Sequence, residues 1–308
     1  MPSSPSARPI RIGTRGSPLA LAQTELVRAK LVATGAGAAF TIEPIRTTGD
    51  KVTDRPLAEV GGKGLFSKEI DEAMLDGRID IAVHSVKDLP TWLPDGIVLA
   101  AVLPREDPRD VLIAAVDRLT ELPSGALVGT SSPRRRAQIL ARRPDVRVGL
   151  LRGNVHTRLA RVREGVVAAT LLARAGLRRL GLEAVGAALE IDEMLPAVGQ
   201  GAVGVTCRAG DDLIREMLAA IDDAGAAREV TAERAMLALL DGSCRTPIGG
   251  LARHAGDGGL VLRGLVARPD GSRLIEGRRA GGIADGADMG ADLGCELRSR
   301  AGPGFFEA

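Results

Sequence analysis

The chain has 308 residues, a length suited to two or three domains at roughly 100–200 residues each. A hydrophobic share of 45% and a charged share of 26% are those of a folded globular protein and exclude fibrous repeats and long disorder. Aromatics make up only 2%, with no Tyr, which argues against modules that stack single-stranded nucleic acid on aromatic platforms. The 41 Lys and Arg and 39 Asp and Glu leave a net charge of +2, so charge acts here through local clusters.

The N-terminus MPSSPSARP is polar and broken by proline, and no apolar run approaches the roughly 18–20 residues of a membrane span. Three widely spaced cysteines, Cys207, Cys244 and Cys295, form neither an even disulfide framework nor a CxxC metal pair. The expectation is a cytoplasmic protein with free thiols, no membrane association and no nucleic-acid partner.

Strands and helices alternate from the start. IRIGT (10–14) reads as a strand, 17–35 as a helix, and FTIEPIRT (40–47) as a second strand with period-two alternation. A polar, Gly- and Lys-bearing stretch (47–64) reads as a mobile loop. It is followed by a helix (65–78) and a strand, IDIAVHS (79–85), in which Ile79, Ile81 and Val83 are expected to share a face. Another strand (97–103) runs into PREDPRD (104–110), whose prolines and charges suggest a crossing between lobes.

A second lobe is expected from about residue 105 and repeats the grammar: strand 126–130, helix 133–143, strand 146–151, helix 154–165 and an apolar run 166–173. GTRGSPLALAQ (13–23) and GTSSPRRRAQ (129–138) share Gly-Thr, Ser-Pro and Ala-Gln, which suggests two related α/β lobes with a ligand between them. Beyond MLPAVGQGAVGVTCR (194–208), a helix over 231–242 is predicted with Thr231 as N-cap and Gly242 as its stop. Strands at 248–254, 260–271 and 273–279 and a final helix near 285–300 make a third, smaller domain.

Ser131 or Ser132 would cap the helix that Pro133 opens, placing Arg134, Arg135 and Arg136 in its first turn. Cations there oppose the helix dipole unless an anion answers them, so a bound carboxylate or phosphate is expected; the alternative is a solvated basic helix. Arg15 and Ser17 occupy the equivalent turn of the first lobe, and Arg152, Arg158 and Arg179 add further cations. Such arginine density suits a ligand with several carboxylates. No Walker or Rossmann phosphate motif is present, and GGKG (61–64) lacks the following Ser or Thr.

At the carboxyl end of the strand in AVHSVKDLP, Ser85, Lys87 and Asp88 emerge where open α/β sheets place ligands. Asp88 is the candidate catalytic carboxylate, or else the partner of Ser85 in a capping box. His84 reads as a packing residue. Cys244, in a Gly-rich turn beside Arg245, is either a reactive thiol or a structural one, and Cys207 and Cys295 read as packing residues. The three scattered histidines have no metal-ligand spacing, so no metal is expected.

IGTRGSPLALAQ, VGGKGLFSKEID, DIAVHSVKDLP, REDPRD, GTSSPRRRAQ, LRGNVHTRL, AGLRRLGL, LPAVGQGAVGV and DGSCRTPIG occur in this order. Together they resemble the hydroxymethylbilane synthase (porphobilinogen deaminase) family over about residues 10–250; beyond that only ERA-like, PDG and Gly-rich fragments remain. The resemblance implies an α/β fold with two similar doubly wound, periplasmic-binding-protein-like lobes and a smaller α+β C-terminal domain. The expected limits are 1–104 for lobe 1, with a return segment 198–220, 105–197 for lobe 2, and 221–308 for the domain that tethers the cofactor.

It further implies a transferase of tetrapyrrole (haem) biosynthesis, acting as a monomer. Four porphobilinogen units, each with an acetate and a propionate, join head to tail on a dipyrromethane cofactor, each losing ammonia, and water then releases the linear tetrapyrrole. Carried over by position, Cys244 is the covalent tether, and Asp88 is the catalytic residue that stabilises an azafulvene cation. Lys87, Thr130, Ser132, Arg134, Arg135, Arg152 and Arg158 hold the cofactor, while Arg15, Ser17, Gln23, Arg179, Lys63 and Gln200 serve the substrate. Ser243 before the cysteine, Ala168 and His156 depart from the family pattern, and Arg136 is an extra cation that reads as solvated.

Overall fold

The computed structural model describes residues 8–35, 37–51, 64–240, 246–256 and 258–306. Lys63, Ser243 and Cys244 lie outside the described residues.

The first lobe begins with β1 (Ile10–Arg15), α1 (Pro18–Ala33) and β2 (Phe40–Ile45). A short helix α2 (Thr48–Lys51), α3 (Lys68–Leu75), β3 (Ile81–Ser85) and β4 (Ile97–Val102) follow. Ser17 caps α1 by accepting from the Ala20 N–H at 3.3 Å, with Pro18 in the first turn. The chain then crosses to β5 (Asp110–Ile113), β6 (Leu127–Gly129), α4 (Pro133–Arg142), β7 (Arg147–Gly149), α5 (Val155–Arg163), β8 (Ala169–Ala173), α6 (Arg174–Arg179) and β9 (Ala187–Ala188). It returns through β10 (Val203–Arg208) and α7 (Asp212–Ala219).

The two sheets have one topology. Their orders are β2-β1-β3-β10-β4 and β7-β6-β8-β5-β9, with the first three strands parallel and the fourth antiparallel to both neighbours. In each sheet the fourth strand is the one that has just crossed from the other lobe. Thus β5 and β10 exchange between the halves, and β1 and β6 hold equivalent places.

Strand β3 is buried on both faces, as a central strand covered by helices should be. Ile81 and Val83 pack with Val27 and Leu31 of α1, while Ala82 turns toward Ile70 and Met74 of α3. Ile79 does not share the face of Ile81. It precedes the strand and packs with the α3 cluster, because the chain is still turning out of α3 at that point.

The third domain contains α8 (Ala224–Leu239), the antiparallel meander β11 (Ile248–His254), β12 (Gly259–Ala267) and β13 (Leu274–Gly282), and α9 (Gly286–Ala301). Gly290 lets α9 lie against α8, since a Cβ there would sit 2.2 Å from the Ala232 carbonyl oxygen. The sequence reading started α8 too late. Asp223 is its cap, accepting from the Ala226 N–H at 2.8 Å, and Thr231 lies mid-helix with its hydroxyl on the Ala227 carbonyl. Helices α2, α6 and α7 and strands β5 and β9 were not anticipated; α2 falls within the stretch 47–64 read as a loop, of which 52–63 lie outside the described residues. Cys207 is fully buried as expected, but Cys295 is exposed on α9.

Candidate active site

A cavity of about 880 Å³ lies between the lobes and reaches the third domain through Leu237, Thr246 and Ile248. The N-termini of three helices reach it: α1 with Ser17, α4 with Ser132, and α5, capped by Asn154. Each presents N–H groups and the positive end of a helix dipole, which favour anions. The matching turns of the two lobes follow from the shared order of β1 and β6.

Arg15, Ser17, Lys87, Asp88, Ser132, Arg134, Arg135, Arg152, Arg158 and Gln200 all line this cavity. Thr130, Gln23 and Arg179 do not reach its wall. Buried Thr130 Oγ1 accepts from the Ser132 N–H at 3.1 Å and so shapes the turn before α4. Gln23 pairs with Ser85, its Nε2 lying 2.9 Å from Oγ. Arg179 Nη2 donates to the Gly201 carbonyl at 2.7 Å.

Asp88 ends a 3-10 turn, Val86–Asp88, directly after β3. The Ser85 side chain makes no cap bond there, so the capping-box alternative for Asp88 is removed. The Asp88 carboxylate is 32% exposed, with Arg15 Nη1 3.9 Å from Oδ2. The segment behind it is fixed from the third domain: Arg234 of α8 donates to the carbonyls of Leu89, Pro90 and Thr91 at 2.7–3.2 Å. His84 is buried as expected, with Nε2 3.1 Å from Thr206 Oγ1. Burial pushes its pKa down to about 4, assisted by the charges of Arg15 and Arg234.

The basic first turn of α4 is answered from inside the protein. Arg135 donates through Nε at 3.1 Å and Nη2 at 2.7 Å to Oδ1 of Asp110, and Arg134 Nη2 lies 2.8 Å from Oδ2. Arg134 and Arg135 also reach the carbonyls of Leu195 and Leu171. This differs from both readings of the sequence, a bound anion or a solvated helix, neither of which drew the answering carboxylate from the protein itself. Asp110 arrives on β5 from the charged crossing segment, and its only sequence signal was the acidic content of REDPRD. Burial would raise its pKa, but the charges of Arg134 and Arg135, with hydrogen bonds from Arg135 and Gln200, hold it well below the usual carboxylate range. Arg136 points away, exposed, and donates to the Val148 carbonyl.

Two guanidinium groups against one carboxylate leave a positive excess at the cavity wall. Arg134 Nε and Gln200 Oε1 are buried without a hydrogen-bond partner among the described residues. Lys87 makes no hydrogen bond or ion pair there, and its ammonium is lowered to about 8 by burial and by the charges of Arg135 and Arg134, despite Asp88 and Asp110. Burial and the charges of Arg135 and Arg152 likewise lower Arg158 to about 10. These cations are crowded and partly desolvated, a state that bound carboxylates would relieve. The cavity size, its cationic wall and these unpartnered polar atoms fit a dipyrromethane with several carboxylates. No group of His, Cys, Asp and Glu that could hold a metal occurs among the described residues.

Two residues of the wall escaped the sequence reading. Asp50 binds the Nε–Nη2 edge of Arg15, and Phe66 lies under its guanidinium at 4.1 Å. Gln200 Nε2 donates to Asp110 at 3.0 Å and to the Pro108 carbonyl at 2.6 Å, tying the two crossing segments together. Gly201, at φ +93°, has no room for a Cβ, which would stand 2.3 Å from the Glu106 carbonyl oxygen where those segments touch.

The family profile described as "Porphobilinogen deaminase, dipyromethane cofactor binding domain" matches residues 10–216, and "Porphobilinogen deaminase, C-terminal domain" matches 227–299. The chain is 57% identical over 303 residues to "Porphobilinogen deaminase" of Paracoccus denitrificans, covering 97% of this chain and 96% of that one. It is 53% identical to "Porphobilinogen deaminase, chloroplastic" of Pisum sativum, over 97% of this chain and 84% of that one. Among solved structures, it is 16% identical to a putative periplasmic sulfonate-binding protein from Methylobacillus flagellatus, with a TM-score of 0.39 over 75% of this chain and 67% of that one. With profiles matched across both lobes and the third domain, and relatives more than half identical over nearly the whole length, the chain belongs to the porphobilinogen deaminase family.

Proposed function

We propose that the protein is a hydroxymethylbilane synthase, which joins four porphobilinogen molecules head to tail with loss of ammonia and releases the linear tetrapyrrole by hydrolysis. The observation that carries this reading is the pairing of Asp88 with a crowded cationic wall, Lys87, Arg152 and Arg158, in one cavity between the lobes. A wall of cations selects a polycarboxylate, and an adjacent carboxylate suits a reaction that develops positive charge.

The dipyrromethane, tethered through Cys244, supplies the pyrrole carbon to which the first substrate is joined. Thr246, two residues beyond Cys244, lines the cavity, which supports a tether directed into it. Lys87, Arg152 and Arg158 would hold the cofactor carboxylates, with Ser132 and the α4 N-terminus beside them, while Arg134 and Arg135 act as the Asp110-anchored floor. Arg15, with Ser17 at the start of α1, would bind a substrate carboxylate. Asp88 would stabilise the cation that develops on the substrate as ammonia departs. Gln23 orients Ser85 next to that turn, and Arg179 and Gln200 hold the crossing segments that set the lobe spacing. Lys63 is proposed for the substrate on family resemblance.

The same reading takes lobe 1 as 1–104 with 198–220, lobe 2 as 105–197, and 221–308 as the tethering domain. We also propose a cytoplasmic monomer; the free thiols of Cys207 and Cys295 support a reducing compartment, and sedimentation checks the monomer. Among the described residues no helix is long and apolar enough to cross a membrane.

Intact mass of the purified protein tests the reading, followed by peptide mapping and assay with porphobilinogen. The expected result is a dipyrromethane adduct on Cys244, lost in Cys244→Ala but retained in Cys207→Ala and Cys295→Ala, with ammonia released on turnover. An unmodified, inactive protein that still binds carboxylates would leave only an anion-binding lobe protein.

A further inference from the structure

Besides Asp88, two carboxylates among the described residues answer arginines at the cavity, and they differ in one respect that matters. Asp110 is fully buried and shared between Arg134 and Arg135, so no ligand can take its place. Asp50 lies on the cavity wall and is 24% exposed. It occupies the planar Nε–Nη2 edge of Arg15 through both oxygens, the edge that a ligand carboxylate uses in bidentate recognition.

We propose that Asp50 is an internal stand-in for a ligand carboxylate, holding Arg15 by its planar edge and giving it up by exchange when a di- or polycarboxylate enters. This deepens the proposed function, on which it rests for the identity of the ligand.

The surroundings of the pair suit an exchange. Thr47 Oγ1 donates to Asp50 Oδ2 at 2.8 Å, so Asp50 keeps a partner after releasing Arg15. Phe66 supports the guanidinium from below at 4.1 Å, which holds its plane while the carboxylates change places. Arg15 Nη1 faces Asp88, so a ligand carboxylate taken up by Arg15 is drawn in beside the candidate catalytic group. A partly exposed ion pair is worth little net, so exchange is cheap for a ligand whose second carboxylate gains a further anchor at the α1 N-terminus, where Ser17 also lines the cavity. An anion without such anchors must compete with a tethered carboxylate and gains nothing in return. The arrangement therefore favours ligands with two or more carboxylates over simple anions.

The test is calorimetric binding of glutarate, a plain dicarboxylate, to the wild-type protein, Asp50→Asn, Asp50→Glu, Arg15→Leu and the Arg15→Leu/Asp50→Asn pair. Removing the internal competitor should tighten glutarate binding roughly 1.5- to fivefold, the range set by a partly exposed ion pair. Asp50→Glu should return to wild-type affinity, and the gain should vanish in the Arg15→Leu background. The KM for porphobilinogen should fall in parallel in Asp50→Asn. A merely structural Asp50 would weaken binding when replaced. Unchanged or weaker glutarate binding, or a gain that persists without Arg15, overturns the proposal. Should Asp50→Asn fail to fold, Asp50→Ser takes its place, and failure of both assigns Asp50 to the fold and likewise overturns it. If the wild-type protein turns over no porphobilinogen but Asp50→Asn still binds glutarate more tightly through Arg15, the functional reading fails and the exchange stands.

Discussion

Glu233 of α8 meets Arg105 of the first crossing segment in the interior, with Arg105 Nη2 3.2 Å from Oε2 and both side chains nearly inaccessible. The same carboxylate accepts from the Gly199 N–H of the return crossing and from the Ala252 N–H of β11, both at 2.7 Å. One side chain thus ties both inter-lobe crossings to the third domain, and Glu229 adds a second contact to Arg105.

Removing one partner strands the other charge in the interior. Arg105→Leu should therefore cost about 3–5 kcal/mol of stability, the range for breaking a buried ion pair. Urea unfolding followed by circular dichroism checks this, and Glu233→Gln should be milder because the amide can still accept from Gly199 or Ala252.

Asp110 gives a second stability prediction, with a defined pH sign. Its pKa is depressed in the folded protein, so its contribution is complete above the unfolded value near ~3.9 and is lost as pH falls below that toward the folded value. Asp110→Asn should be destabilised at pH 7 and should lose less further stability than wild type between pH 4 and strongly acid conditions. Melting temperatures across that range decide it. Arg134→Leu should share part of the loss, since Arg134 is paired with Asp110, whereas Arg152→Leu should impair ligand binding more than stability.

Lys87 sets a prediction for ligand binding. Its ammonium, lowered to about 8, should be raised again by a bound carboxylate, so binding near pH 8–9 should take up a proton and weaken as pH rises beyond that window. Calorimetry in buffers of different ionisation enthalpy measures the uptake. Lys87→Met should abolish it.

Asp88→Asn keeps the size of the side chain and removes its charge. Because Ser85 makes no cap bond with its side chain, stability should barely change, while single-turnover ammonia release from cofactor-loaded enzyme should fall by orders of magnitude. A near-normal rate would remove Asp88 from the chemistry.

By itself the sequence determined what local stereochemistry controls. Alternation in FTIEPI, the Ser-Pro starts at Ser17 and Ser132, and the prolines of PREDPRD identify strands, helix starts and a crossing, because pleat period, capping and proline geometry act within a few residues. It also placed Asp88 and Lys87 at a strand end and carried the family's motifs in order. Only the tertiary structure decided which charges neutralise each other. Asp110 and Arg135 are 25 residues apart, and Arg105 and Glu233 are 128 apart; their pairing depends on β5 entering the second sheet and on α8 lying against both crossings. No periodicity encodes such encounters. The basic turn of α4 therefore read as a free anion site or a solvated helix, when burial had already supplied its carboxylate, and the exchangeable pair of Arg15 and Asp50 became visible only once the cavity wall was formed.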